Sequence, residues 1–259
     1  MPAPPATSGG VRDRRADPAW LVWTIAGVCW AGTLALALTG GHELAHHDAV
    51  LTSSTMLWPG RIGAFLVVWL IMVAAMMVPT VLPLVRLFWP VSARAPHPGR
   101  DRAGFWAGYL VVWTAFGPLA LLGDLGVHAM VDAWAWLAER PELVLGATLV
   151  IAGAFQFSPL KNACLTACRN PAAFLWQHYR RGPAGGWHLG LRHGLYCLGC
   201  CWALMLVMFA TGVASLAWML ALTGVMVVEK TTSYGARWVA PVGIALVAGG
   251  LAVALPTVF

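Results

Sequence analysis

Six stretches of this chain run for fifteen residues or more without a charged side chain: Trp20 to Thr39, Ile62 to Val85, Gly104 to Gly123, Leu143 to Phe157, Gly194 to Val228 and Trp238 to Val258. An apolar helix needs about 20 residues to cross the hydrocarbon of a bilayer. Lipid offers the backbone no hydrogen-bond partners, and a helix satisfies them internally. Only 10% of the 259 residues are charged and 59% are hydrophobic, whereas roughly a quarter are charged in a soluble domain. The run from Gly194 to Val228 is too long for one crossing, and Gly212 near its middle divides it into helices at 194–211 and 214–228.

The expected fold is therefore all-α: a polytopic transmembrane bundle of about seven spans, at 20–39, 62–85, 104–123, 143–157, 194–211, 214–228 and 238–258. These form one domain over 20–259, behind a disordered cytoplasmic tail at 1–19 that is rich in Pro, Ala, Gly and Arg. The first span is too long for a signal peptide and lacks a small-residue cleavage site. Lysine and arginine stay on the cytoplasmic side of a membrane. With the N-terminus inside, 14 of the 16 basic residues fall in the tail and the second, fourth and sixth loops, leaving Arg61 and Arg140 outside. The C-terminus then lies outside. This rule explains the net charge of +6, and anionic headgroups of the lipid bilayer are the partners it implies. No nucleic-acid motif is present.

Five of the six cysteines lie in Cys164-x-x-x-Cys168 and Cys197-x-x-Cys200-Cys201. Ser158-Pro159 starts a helix and Asn170-Pro171 ends one. The expectation is a short amphipathic helix at 159–169 on the inner face, with Leu160, Cys164, Leu165 and Cys168 turned toward the bundle. The rest of 158–193 reads as an inner loop. The topology sets both cysteine groups at one membrane face, where thiols spaced for a shared helix side suit a soft metal or thiol exchange. A disulfide within one helix is geometrically awkward and the cytosol is reducing. For Cys29, mid-span, simple packing suffices.

Met205 and Met208 extend the line from Cys197 and Cys201, while Met72 and Met76 repeat the i, i+4 spacing in the second span, beside Met77 and ahead of a kink expected at Pro79. Thioethers with thiolates are the ligand set that selects Cu(I). An outer loop at 40–61 carries His42, Glu43, His46, His47 and Asp48, and a helical continuation of the third span carries Asp124, His128 and Asp132. An acidic, histidine-bearing entrance attracts cations, although each residue alone reads as solvated surface. Glu229-Lys230, at the inner end of the sixth span, is expected to make an ion pair or a headgroup contact. No nucleotide-binding glycine loop, HExxH or GxSxG occurs, which argues against a pump or a hydrolase.

Trp69-x-x-Met72-x-x-Ala75-Met76-Met77-x-Pro79-x-x-x-Pro83, Gln156-x-Ser158-Pro159-Leu160-Lys161-x-x-Cys164-x-x-x-Cys168-Arg169-x-Pro171, Gly194-Leu195-Tyr196-Cys197-x-Gly199-Cys200-Cys201-Trp202-Ala203-Leu204-Met205 and Glu229-Lys230 together resemble the bacterial predicted metal-binding integral membrane proteins. The resemblance covers about residues 60–235. It implies binding of a metal, with copper as the expected ion, in a bacterial inner membrane, and a chaperone-like role in supplying the metal. The resulting expectation is a soft-metal binding protein with Cys164, Cys168, Cys197, Cys200, Cys201, Met205, Met72 and Met76 as ligands. Cu(I) is favoured over Zn(II) as the ion, and a metal-receiving membrane protein is the expected partner. Two rivals stand beside it: a membrane thiol-disulfide oxidoreductase, and an assembly subunit whose partner supplies the chemistry.

Overall fold

The computed structural model describes residues 17–38, 58–211 and 215–257. Residues 1–16 of the tail expected at 1–19 and the outer His42 to Asp48 cluster lie outside the described residues, and Ala19 already begins the first helix. Among the described residues the chain is helical, with no strand. In chain order the helices are α1 Ala19–Leu38, α2 Trp58–Ser92, α3 Pro98–Ala133, α4 Ala135–Ala138, α5 Pro141–Gln156, α6 Pro159–Arg169, α7 Pro171–His178, α8 Pro183–Thr211, α9 Leu216–Thr231 and α10 Ala236–Ala254, the last followed by a 3-10 turn at Leu255–Thr257.

Within the described residues each apolar stretch of the sequence is helical, and the helix in the long run ends at Thr211, as expected. Among the described residues four helices are long and apolar enough to cross a membrane: 59–92, 98–133, 183–211 and 236–257. A fifth candidate is the pair α5 and α6, which meet at a 63° bend. The expected inner loop at 158–193 is instead two short helices plus the first turns of α8, which begins at Pro183 rather than at residue 194. Prolines at 159, 171 and 183 each open a new helix there, because a proline at the first turn loses no hydrogen bond.

Two helix pairs approach so closely that only glycine fits between them. On α3 and α8, a Cβ at Gly190 would lie 2.0 Å from the Phe105 carbonyl oxygen, one at Gly186 would lie 2.1 Å from the Asp101 oxygen, and one at Gly108 would lie 2.4 Å from the Trp187 oxygen. On α5 and α10, Gly153 and Gly243 meet in the same way, as do Gly146 and Gly250. Small residues four apart let helix backbones touch where lipid supplies no hydrophobic drive for association.

Helix α2 continues through Pro79, where a kink is expected, and through Pro83 and Pro90. Pro79 has no N–H for the carbonyl of Ala75, and the indole N–H of Trp30 in α1 donates to that oxygen instead, at 3.1 Å. The orphaned acceptor thus becomes a tie between α1 and α2.

Contacts gather the ends of several helices at one pole of the bundle. Phe88 of α2 packs on Phe105 of α3 and on Tyr179, with ring centroids 5.3 and 5.2 Å apart. The Tyr179 hydroxyl donates to Asp101, and Arg169 donates to the carbonyls of Glu229 and Ser233 at 3.0 Å each. The second, fourth and sixth connections, which carry most of the arginines and lysines, therefore share a pole. Arg140 instead donates to the Thr257 carbonyl, joining the α4–α5 connection to the C-terminal turn.

Gly190→Leu is expected to drive α3 and α8 apart and to destabilise the detergent-purified protein by more than the ~1–3 kcal/mol of ordinary overpacking, read as a fall in unfolding temperature. At Tyr179, burial first and the hydrogen bond to Asp101 second push the phenol above its ordinary value of 10.0. The neutral phenol is the form that the fold favours. The stability it contributes is fully present below about pH 10 and declines as pH rises toward the raised value. Thermal unfolding of wild type is expected to worsen more steeply above pH 10 than that of Tyr179→Phe.

Candidate metal centre

The first cysteine motif is set in place by a cap. The Ser158 hydroxyl accepts a hydrogen bond from the Lys161 N–H at 3.0 Å, with Pro159 at the first helical position. The helix runs from Pro159 to Arg169, as the cap and the Asn170-Pro171 stop predict. Its inward face is Lys161, Cys164 and Leu165, with Cys168 half-buried at the same edge. These positions, i, i+3, i+4 and i+7, form one stripe. Leu160, expected on that stripe, is instead 55% exposed. The stripe is rotated because Lys161 turns inward: its ammonium donates to Glu229 Oε2 at 2.7 Å, and the two side chains are 1% and 3% exposed. Leaving the buried Glu229 without its counter-charge would cost more than exposing one leucine.

Glu229 and Lys230 therefore differ from the expectation of an ion pair or headgroup contact at the surface. Glu229 does form an ion pair, but a buried one with Lys161. Lys230, about 100° round the helix from its neighbour, is also buried, and its partners are sulfur atoms. Its Nζ lies 3.2 Å from Cys197 Sγ, 3.5 Å from Cys201 Sγ and 3.6 Å from Met77 Sδ.

The second motif occupies the middle of α8, where Cys197, Cys200 and Cys201 are each 1% exposed. The thiols of Cys200 and Cys201 donate to the Cys197 carbonyl at 3.1 and 2.9 Å, and the Tyr109 hydroxyl lies 3.3 Å from Cys197 Sγ. The two motifs meet. Cys168, at the edge of the same α6 stripe, lies near enough to Cys200 for the two thiols to interact electrostatically. Cys164 packs flat on Gly199, where an added Cβ would lie 2.6 Å from its sulfur. Gly199 is thus the gap that admits α6 to the second motif. All six cysteines are free thiols, and Cys29 stands apart in α1.

Cys201 Sγ and Met77 Sδ are 3.8 Å apart. Among the described residues, no group of three or more His, Cys, Asp or Glu side chains forms a ready metal cage. The gathering is of a different kind, two thiols and a thioether round an ammonium. Met72, Met76, Met205 and Met208 are buried in the same core as the thiols, and Met77 joins them through its contact with Cys201.

Lys230, Tyr109 and Met77 are the site residues that the sequence pattern did not assign. A lysine next to a glutamate at the end of an otherwise uncharged helix was a usable signal for the first, and the Met76-Met77 doublet for the third. Nothing in the spacing pointed to Tyr109. The expected Asp124, His128 and Asp132 series does not join this centre. His128 pairs with Asp124 at 3.5 Å and is about half exposed, and at 1.5 Å per residue it lies about 28 Å along α3 from Tyr109.

Glu229→Ala would leave Lys161 buried without its counter-charge. A loss of about 3–5 kcal/mol in stability is expected, measured by unfolding of the purified protein, with Lys161→Met/Glu229→Gln recovering much of it.

No curated protein and no solved structure matches the chain. A family model described as PpoB2, copper chaperone, matches residues 66–253, a range that holds both cysteine motifs, the α2 methionines and Glu229-Lys230. With the greater part of its length matched, the chain belongs to the PpoB2 copper chaperone family.

Proposed function

We propose that this protein is a membrane-embedded carrier of Cu(I) that takes the ion at its cysteine-bearing pole and hands it to an acceptor protein. The observation that carries this reading is the meeting of the two cysteine motifs, Cys164 packed on Gly199 beside the buried Cys197, Cys200 and Cys201, with Met77 3.8 Å from Cys201. Copper is the cargo here. Thiolate and thioether sulfur select Cu(I), whereas structural zinc takes four ligands, typically thiolate or imidazole. Each ligating thiol must give up its proton, and a row of sulfurs lets one bond to copper form as the previous one breaks.

In this reading Cys168, half-buried, and Cys164 receive the ion. Cys200 passes it on, Cys201, Cys197 and Met77 hold it, and Met205, Met72 and Met76 carry the sulfur lining onward through the core. The seven-span arrangement completes it, with α1, α9 and the bent α5–α6 pair crossing the bacterial inner membrane beside the four long helices. The basic pole faces the cytoplasm, and the acceptor is a membrane or exported protein. The nearness of Cys168 to Cys200 is what a thiol-disulfide relay would use, so the test is designed to separate the two.

Purified protein and a variant with all five motif cysteines changed to serine are loaded anaerobically with Cu(I), and bound copper is measured. Stoichiometric copper in the wild type and its loss in the variant are expected, with the wild-type thiols protected from alkylation by the metal. Equal, near-zero copper in both, together with a Cys168–Cys200 disulfide trapped in cells, would establish the relay instead.

A further inference from the structure

Building on the reading of this centre as a Cu(I) site, we propose that Lys230 is the residue that sets the charge of the cargo, matching the centre to a monovalent ion and rejecting a divalent one. Among the described residues, the buried side chains that carry a formal charge are Asp101, Lys161, Glu229 and Lys230. Asp101 is held by the Tyr179 hydroxyl and the Gly182 N–H at the pole of the bundle, about 12 Å along α3 from Tyr109 at the helical rise. Lys161 and Glu229 cancel each other at 2.7 Å. Lys230 remains. Its ammonium is enclosed by the sulfurs of Cys197, Cys201 and Met77.

An uncompensated charge in such an interior is costly, so the sum over the loaded centre decides which ion stays. Two thiolates contribute two negative charges, Lys230 one positive, and the thioether none. A monovalent ion brings the total to zero. A divalent ion leaves one positive charge unbalanced, next to an ammonium already within 3.2 to 3.6 Å of the sulfurs. The sulfur set by itself accepts several soft ions, and the lysine adds the discrimination that softness does not provide. This is specificity built by an unfavourable term against the wrong partner.

Two substitutions change the sum from opposite sides. Lys230→Met removes the positive charge, so that two thiolates balance a divalent ion. Met77→Cys keeps the lysine and adds a third thiolate, which again balances a divalent ion. The full-length protein and both variants are dialysed in detergent against buffered Cu(I), Ag(I) and Zn(II), with bound metal quantified and monodispersity checked by size exclusion. Wild type is expected to take Cu(I) and Ag(I) and to hold Zn(II) about a hundredfold more weakly or worse, and each variant to shift this ratio toward Zn(II) by at least about tenfold. An unchanged ratio in both variants overturns the proposal. If Lys230→Met fails to fold, Met77→Cys decides alone, and an unchanged ratio there overturns it as well. A wild type that binds neither Cu(I) nor Ag(I) defeats the underlying reading of the centre, a result distinct from binding without charge discrimination.

Discussion

The buried ion pair between Lys161 and Glu229 is the contact on which the arrangement of the centre depends. Neither charge is stable alone in an apolar interior, so α6 and α9 must meet where these two side chains meet. Once Lys161 faces Glu229, the helical repeat commits Cys164, Leu165 and Cys168 to the same side and leaves Leu160 outside. Glu229 in turn fixes the rotation of α9, which turns the neighbouring Lys230 to the sulfurs of α8 and α2. Arg169 closes the junction by donating to the Glu229 carbonyl in the last turn of α9 and to that of Ser233 just beyond it.

Bringing sulfur side chains on three helices this close requires the backbones to be close too. Glycine provides that at each step. The α3–α8 contact through Gly108, Gly186 and Gly190 seats Tyr109 against Cys197, and Gly199 lets Cys164 rest on α8. Proline does complementary work in α2, where the Ala75 carbonyl that Pro79 leaves open, next in the chain to Met76 and Met77, accepts from the Trp30 indole. The motif residues that are neither sulfur nor charge therefore set the distances at which sulfur side chains converge.

The chemistry follows from that convergence. Two thiols and a thioether are soft, few and protected from water, which suits an ion that favours soft sulfur ligands. Membership of the PpoB2 copper chaperone family agrees with a donor set of this kind. The ammonium among the sulfurs is the unusual element. It keeps the centre from being a generic thiol cage and makes charge, as well as softness, part of recognition.

Much of the architecture was legible in the residue order. Uncharged runs of spanning length had to become helices, the Ser158-Pro159 cap and the Asn170-Pro171 stop bounded α6, and cysteine spacing put the thiols of each motif on one helix side. These are local properties, set by backbone hydrogen bonding and the 3.6-residue repeat. Which stripe of α6 faces inward, that Met77 meets Cys201, and that Lys230 points at sulfur were not legible. Each depends on a partner distant in sequence: Glu229 is 68 residues from Lys161, and Met77 is 153 from Lys230. The sequence by itself determined the helices and the clustering of soft ligands. Only the tertiary structure decided the contacts between helices, because an uncharged helix is nearly uniform around its axis and takes its rotation from close-packed glycines and buried charges on its neighbours.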